Sequence, residues 1–130
     1  MKRIAQLYKA AESGNLAKLR ELLCKGTPPD TQDIRGVTPL WVAASNGRVE
    51  IVNLLLQTNQ VNVNVKSIAA RPPIFWAAAH GHANVVRLLL GAYADPNVAD
   101  INGDTPYGLA QRHGHWDIIR LLRKYLPEVS

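Results

Sequence analysis

The sequence predicts an all-α fold: a solenoid of four helix-turn-helix units with hairpin-like loops between them. Two series of residues predict it, because both recur with nearly constant spacing. Glycines are separated by 33, 34 and 33 residues and prolines by 34 and 33 residues. The positions are Gly14, Gly47, Gly81 and Gly114 for the glycines, and Pro39, Pro73 and Pro106 for the prolines. A unit of about 33 residues with one apolar face cannot bury that face alone, so the units must stack.

The second unit shows how each element is encoded. Thr38 is a suitable helix N-cap, Pro39 fits the first helical position, and Gly47 ends a short helix. A second helix follows, and a loop rich in turn residues around Asn64 leads to the next unit. The apolar faces at helical spacing are Leu40, Ala43 and Ala44 in the first helix, and Ile51, Val52, Leu55 and Leu56 in the second.

We place the whole chain, residues 1–130, in one domain with repeats at approximately 1–32, 33–66, 67–99 and 100–130. Three positions that are apolar in the later units are charged in the first, namely Lys9, Lys18 and Glu21. In the last unit Gln111 and Arg123 replace the alanine and leucine of the earlier units. Charged and polar residues suit a face with no neighbouring repeat, so we expect an array closed at both ends.

Composition limits the class of protein. The chain is 47% hydrophobic without an apolar run long enough to cross a bilayer, and its N-terminus lacks a signal-peptide core. The single cysteine, Cys24, cannot form an internal disulfide. The net charge of +5 is distributed along the chain rather than clustered as nucleic-acid binding requires. We therefore expect a cytoplasmic or nuclear monomer that binds neither nucleic acid nor membrane.

Catalytic and metal-binding chemistry are weakly represented. The four histidines form two motifs, His80-Gly81-His82 and His113-Gly114-His115, each at a turn between helices. Equivalent histidines of adjacent units should lie about 10 Å apart, the spacing of packed helices, which is too far to share one ion. The only cluster of polar groups suited to catalysis is Asp104, His113, His115 and Asp117. We predict no enzymatic activity, no metal and no cofactor.

The repeated motifs resemble those of the ankyrin repeat family. The resemblance is carried by Gly36-Val37-Thr38-Pro39-Leu40, Ala43-Ala44 and Ile51 to Leu56, and by their equivalents in the third and fourth units, over essentially the whole chain. It implies a scaffold or adaptor that binds a partner protein along a concave surface formed by loop tips and inner helices. The alternative is an unusual enzyme or small-ligand-binding protein that uses the concave groove.

Mapped onto this chain, the resemblance places partner contacts at the loop tips and at the ends of the inner helices. The tip positions are Ile34, Arg35 and Val37, then Ile68, Ala69 and Arg71, then Ile101, Asn102 and Asp104. The inner-helix positions are Ser45, Asn46, Ala79, His80, Arg112 and His113, with Trp41 as a further candidate.

Independently of the family, Ile34, Ile68 and Ile101 occupy one register in three turns that should be exposed. A row of exposed apolar residues is a candidate contact ridge, and Arg35, Arg71 and Arg112 flank it. The hypothesis is a partner with a hydrophobic strip and some acidic residues. The alternative is that each isoleucine packs on the neighbouring loop.

Three features depart from the family pattern. In the family, a histidine usually follows Thr-Pro-Leu and ties adjacent loops together by hydrogen bonds. Here that position holds Trp41, Phe75 and Gly108, so we expect the hydrogen-bond network to be missing. The two aromatic side chains are either packing residues or exposed binding groups. Ala70 replaces a turn glycine and Pro72 a capping threonine, which predicts a distorted loop at Ser67–Arg71. One extra residue between Leu56 and Asn64 predicts a bulge.

Overall fold

The computed structural model describes residues 2–126, and within them it contains eight α-helices arranged as four antiparallel pairs. The helices are α1 (Lys2–Ser13), α2 (Leu16–Cys24), α3 (Pro39–Ser45), α4 (Val49–Gln57), α5 (Pro73–Ala79), α6 (Ala83–Gly91), α7 (Pro106–Arg112) and α8 (Trp116–Arg123). The four-unit all-helical solenoid predicted from the sequence is confirmed.

The pairs stack in two layers. The odd-numbered inner helices pack against one another in chain order, the even-numbered outer helices do the same, and each inner helix also packs on its outer partner. The inner layer is tight because its alanine pairs are buried, as at Ala43 and Ala44, where small side chains allow helices to approach closely. Leucine, isoleucine and valine side chains of the outer helices, such as Leu55 and Ile118, fill the space between the layers.

The inner helices begin where the sequence predicts. The side-chain oxygen of Thr38 accepts a hydrogen bond from the Trp41 amide at 3.2 Å, and that of Thr105 accepts one from Gly108 at 3.1 Å. Pro72 offers no capping side chain, yet its extended backbone, with ψ of 171°, leads the chain into α5 at the same angle. A proline at the first helical position follows in each case, and its fixed φ favours helix initiation.

Three hairpin turns, which we call fingers 1, 2 and 3, project beside the inner helices at residues 33–37, 67–71 and 100–104. All three are closed by the same two backbone hydrogen bonds. The amide of the first residue donates to the carbonyl of the fifth, and the amide of the fourth residue donates to the carbonyl of the first. The predicted distortion of finger 2 is therefore wrong. Ala70 adopts the left-handed conformation, with φ of 62°, that Gly36 and Gly103 adopt in the other fingers. The closing bonds and a bond to finger 1 offset the strain of about 1–2 kcal/mol that such a conformation costs a residue with a Cβ.

The connection between Leu56 and Asn64, where the extra residue predicts a bulge, leaves its helix differently from the equivalent connections. After α2 and α6 the chain turns back so that an amide caps a helix carbonyl, with Thr27 donating to Leu22 at 3.1 Å in the first case. After α4 the Thr58 hydroxyl donates to the Leu55 carbonyl instead, at 2.6 Å, and accepts from the Gln60 amide at 3.2 Å. The Thr58 hydroxyl thus connects the end of α4 to the Gln60 amide, and this accommodates the extra residue.

Among the described residues, no helix has the length and apolar character needed to cross a membrane.

Candidate functional site

The isoleucine row lies at the tips of the three fingers. Ile34 is 98% exposed, Ile68 76% and Ile101 71%, so the neighbouring fingers bury little of these side chains. The fingers are joined in sequence, because the Ile68 amide donates to the Arg35 carbonyl at 2.8 Å and the Ile101 amide to the Ala69 carbonyl at 3.1 Å. The three isoleucines therefore form one line on a connected backbone, and the alternative that each packs on the next finger is wrong.

The arginines beside this row are already neutralised. Arg35 pairs with Asp33 at 2.8 Å, and its finger is closed by the same aspartate. Arg112, at the end of α7, pairs with Asp104 at 2.9 Å. The hypothesis that the partner supplies acidic residues was based on these side chains as free cations. Their internal ion pairs leave the row as an apolar line with little net charge around it.

Arg71 connects finger 2 to finger 3 and to α5. Its Nε donates to the Asp100 carboxylate at 3.0 Å, and its guanidinium lies 4.8 Å from the ring centroid of Trp76 and 5.3 Å from that of Phe75. Such cation–π contacts hold the planar guanidinium against the aromatic rings. Arg71 is thus half-buried, and its side chain holds fingers 2 and 3 and α5 together in addition to any contact it makes with a partner.

Asp100 is the buried partner in this arrangement, with a side chain that is fully shielded from solvent. Burial acts to raise the pKa of Asp100, but hydrogen bonds from the Asp104 amide and from Arg71 outweigh it and lower the pKa below its ordinary value. The carboxylate is therefore charged at neutral pH and organises finger 3 through the amides of Asn102 and Asp104, both at 2.9 Å.

Trp41 restores a link that the sequence predicted to be missing. Its Nε1–H donates to the Arg71 carbonyl in finger 2 at 3.0 Å, and the Tyr8 hydroxyl donates to the equivalent carbonyl of Val37 in finger 1 at 2.6 Å. The expected loss of the loop-tying network is thus wrong at Trp41, where an indole donor replaces imidazole, but not at Phe75 and Gly108, which have no side-chain donor. Phe75 has no such donor and is buried, at 1% exposure, so it is a packing residue.

The inner-helix candidates divide into exposed and buried residues. Asn46, His80, Arg112 and His113 are exposed, and Ser45 is half-buried. Val37 and Ala79 are 4% and 3% exposed, so they are corrected from contact residues to core residues: each side chain turns into the packed layer beneath its finger or helix. Of the remaining tip positions, Asn102 is exposed and Ala69 and Asp104 are half-buried.

Trp76 belongs to this surface although it was not among the contact residues predicted from the sequence. It is half-buried and stacks on His80 with ring centroids 5.4 Å apart, and its ring also contacts the Arg71 guanidinium. The signal in the sequence was the size of the residue, since Val42 and Leu109 occupy the same register. A side chain as large as tryptophan extends beyond the space that those residues fill.

The histidines at the turns bridge neighbouring units. His82 Nε2 lies 3.2 Å from the Ser45 carbonyl, and His115 Nε2 lies 3.0 Å from the Ala79 carbonyl. Arg48 takes the same position in the second unit and donates to the Glu12 carbonyl at 2.8 Å. Over residues 2–126 no three histidine, cysteine, aspartate or glutamate side chains come together as a metal site would require.

The stacked helix pairs, the fingers and the bridging turns define a repeat solenoid. The sequence profile described as "Ankyrin repeats (3 copies)" matches residues 7–100 and, in a second placement, residues 63–129. The chain therefore belongs to the ankyrin repeat family. Repeats of this family generally mediate protein–protein interaction.

Similar curated proteins contain the repeats within much longer chains. Ankyrin repeat and SOCS box protein 3 of Homo sapiens is 36% identical over 99 residues, which is 75% of this chain and 19% of that protein. Palmitoyltransferase Hip14 of Drosophila melanogaster is 34% identical over 97 residues, 75% of this chain and 15% of that protein. The potassium channel AKT2/3 of Arabidopsis thaliana is 33% identical over 97 residues, 73% of this chain and 12% of that protein. The chain thus spans a fifth or less of these relatives.

Proposed function

We propose that this chain is a non-enzymatic scaffold that binds a partner protein through the finger tips and the concave side of the inner helices. The observation that carries the proposal is the exposed line of Ile34, Ile68 and Ile101. Burying an exposed isoleucine contributes about 1.5–3 kcal/mol, so three in line could supply the centre of an interface. The exposed residues beside the line, including Asn46, His80 and His113, would form its polar rim.

The chemistry of the partner follows from the ion pairs around the row. Because Arg35, Arg71 and Arg112 are each held by an aspartate of the fingers, an acidic partner would have to displace an existing bond. We infer that the matching surface is an apolar strip with hydrogen-bonding groups at its edges. Association of this kind depends little on salt, whereas contacts between exposed charges are screened.

The alternative of an enzyme or small-ligand site in the concave groove has no specific support among the described residues. The polar groups there are engaged with one another, as Asp104 is with Arg112 and Asp100 with Arg71, rather than directed at a common cavity. A monomeric state and a cytoplasmic or nuclear location stay predictions. Light scattering on the purified chain tests the first of these, and localisation of a tagged chain in its own cells tests the second.

The test compares three forms of the purified, tagged chain as bait in extracts of cells that produce it. The variant I34S/I68S/I101S removes the row, and V49S/Y93S/Y125S removes three exposed apolar side chains elsewhere as a matched control. We expect a protein that is retained by the wild type and by the control but reduced roughly tenfold or more by the row variant.

Two further measurements make the result decisive. Thermal unfolding should give the row variant a midpoint within a few degrees of the wild type, since its side chains are exposed. Retention should be similar in 50 and 300 mM salt, although the Debye screening length shortens about twofold between these two concentrations. Equal retention by the wild type and the row variant, or loss of retention in high salt, would contradict the proposal.

A further inference from the structure

Cations without a paired carboxylate also lie away from the fingers, on the outer helices. A cleft of about 320 Å³ lies between α6 and α8, lined by Arg87, Asp117, Arg120, Leu121 and Lys124. Three of these residues are cations and one is an acid. The finger arginines are all paired, but within residues 2–126 none of the three cleft cations has a carboxylate within 4.0 Å.

Arg87 forms the wall of the cleft on α6. Its Nη1 donates to the Asn84 side-chain oxygen at 2.8 Å, which orients the guanidinium without neutralising it. Arg120 occupies the same register one unit later, on α8, so the two guanidinium groups project from adjacent outer helices. Guanidinium groups bind carboxylates through paired N–H donors, and they lose hydration more readily than ammonium groups.

Trp116 is an exposed apolar residue on the same helix as Arg120, just outside the residues that line the cleft. It is 70% exposed at the first position of α8 and lies one helical turn before Arg120, on the same side of the helix. Its register is held by the smaller residues Leu16, Val49 and Ala83 in the earlier units. Leu121, which packs against the core, adds apolar surface to the cleft. Exposed tryptophan next to arginine is the composition enriched at the centres of protein interfaces.

We propose that the α6–α8 cleft is a second docking site, and that it takes an acidic segment of a partner protein with a large apolar side chain beside its carboxylates. The carboxylates bind between Arg87 and Arg120, with Lys124 at the far end, and the apolar side chain packs on Trp116. This site lies on the outer helices, whereas the isoleucine row lies on the fingers of the inner side. The inference is therefore independent of the function proposed above.

The probe is a random library of twelve-residue peptides displayed on phage, selected on the intact wild-type chain. Peptides that also bind the support without the chain are removed. The control variant is R20A/R123A, which changes the net charge by the same amount: Arg20 has the register of Arg87 on α2, and Arg123 is an exposed residue of α8 outside the cleft. A synthetic copy of an enriched peptide is then titrated by calorimetry against each variant.

We expect enriched peptides to combine aspartate or glutamate with an aromatic or aliphatic residue. Binding should weaken about tenfold or more in R87A/R120A and in W116S, and should be unchanged in R20A/R123A and in the row variant I34S/I68S/I101S. Selection of peptides without acidic residues, or equal affinity for R87A/R120A and the wild type, would overturn the proposal. So would retention of the chain on phosphatidylserine vesicles without any peptide enrichment, because the cations would then serve a membrane surface.

Discussion

The indole N–H of Trp41 lies 3.0 Å from the carbonyl oxygen of Arg71, and this bond ties α3 to the finger of the following unit. The Tyr8 hydroxyl makes the same connection one unit earlier, to the Val37 carbonyl. Each of these carbonyls also accepts the amide that closes its own finger. An aromatic donor on the inner helix thus fixes the base of the next finger, and with it the direction in which the isoleucine is presented.

Removal of the Tyr8 hydroxyl should destabilise the protein by about 1 kcal/mol, because Tyr8→Phe deletes a partly buried hydrogen bond and leaves the ring in place. The free energy of unfolding from urea titration measures the change. Tyr107→Phe is the matched control, since that hydroxyl makes no hydrogen bond to any residue in the described part of the chain. Equal losses in the two variants would show that the bond to Val37 does not stabilise the fold.

Two finger glycines should respond differently to the same substitution. Gly36 and Gly103 have φ of 77° and 81°, so alanine at either position costs about 1–2 kcal/mol in backbone strain. A Cβ on Gly36 would also lie 2.9 Å from the Lys66 carbonyl oxygen, whereas a Cβ on Gly103 would have no atom within 4 Å. Gly36→Ala should therefore lower the free energy of unfolding clearly more than Gly103→Ala. Similar values in urea titrations would mean that finger 2 can move away at no cost.

The fold was predictable because its signals are local and repeated. Thr38 and Pro39 start a helix, Gly47 ends it, and the register recurs often enough to establish the number of units. Finger 2 was predicted wrongly for a physical reason: Ala70 is unfavourable taken alone, but backbone bonds on both sides of the finger hold it in place. Local propensity underestimates such cooperative support.

The candidate site was predictable in position but not in chemistry. The register of Ile34, Ile68 and Ile101 followed from the repeat, and so did their exposure. The pairing of Arg71 with Asp100, 29 residues later, depends on how adjacent fingers face each other, which composition does not reveal. The burial of Val37 beneath its own finger could not be predicted either. A turn of five residues is too short for a sequence pattern that distinguishes its buried side from its exposed side.

Asp30 stands where the later units have asparagine, and Asp30→Asn should stabilise the protein by about 1 kcal/mol. In Asn64 both amide atoms are used, the oxygen by the Asp95 amide at 2.7 Å and the nitrogen by the Tyr93 carbonyl at 3.4 Å. In Asp30 one oxygen accepts from the Asn62 amide at 3.0 Å, but the other, Oδ1, is buried without a partner. Asparagine replaces this unpartnered charged oxygen by a neutral amide, which costs less free energy to bury than a carboxylate without a partner.

The reverse exchange, Asn64→Asp, provides the comparison for this prediction. It replaces a donor by an acceptor opposite the Tyr93 carbonyl and should destabilise the protein by a similar amount. Urea titration of both variants at pH 7 gives the two changes. A lower free energy of unfolding for Asp30→Asn than for the wild type would mean that the buried oxygen is already satisfied by solvent.

His82 should make stability depend on pH in the range where histidine titrates. Burial lowers the pKa of His82 below its ordinary value of 6.5, and the hydrogen bond to the Ser45 carbonyl opposes this only in part. Because the folded-state pKa lies below the unfolded one, the unfolded chain binds the proton more tightly. The contribution of His82 to stability is therefore complete above pH 6.5 and is lost as the pH falls from there through the folded-state pKa.

The measurement is the difference in unfolding free energy between the wild type and His82→Gln at a series of pH values from 8 to 5. Glutamine can still donate to the Ser45 carbonyl but does not titrate, so the subtraction isolates this one imidazole. We expect the advantage of the wild type to shrink below pH 6.5 and to level off once His82 is protonated in both states. An advantage that grew on acidification would show that the folded state prefers the charged ring, and that the bond to Ser45 outweighs the burial of His82 against Gly47.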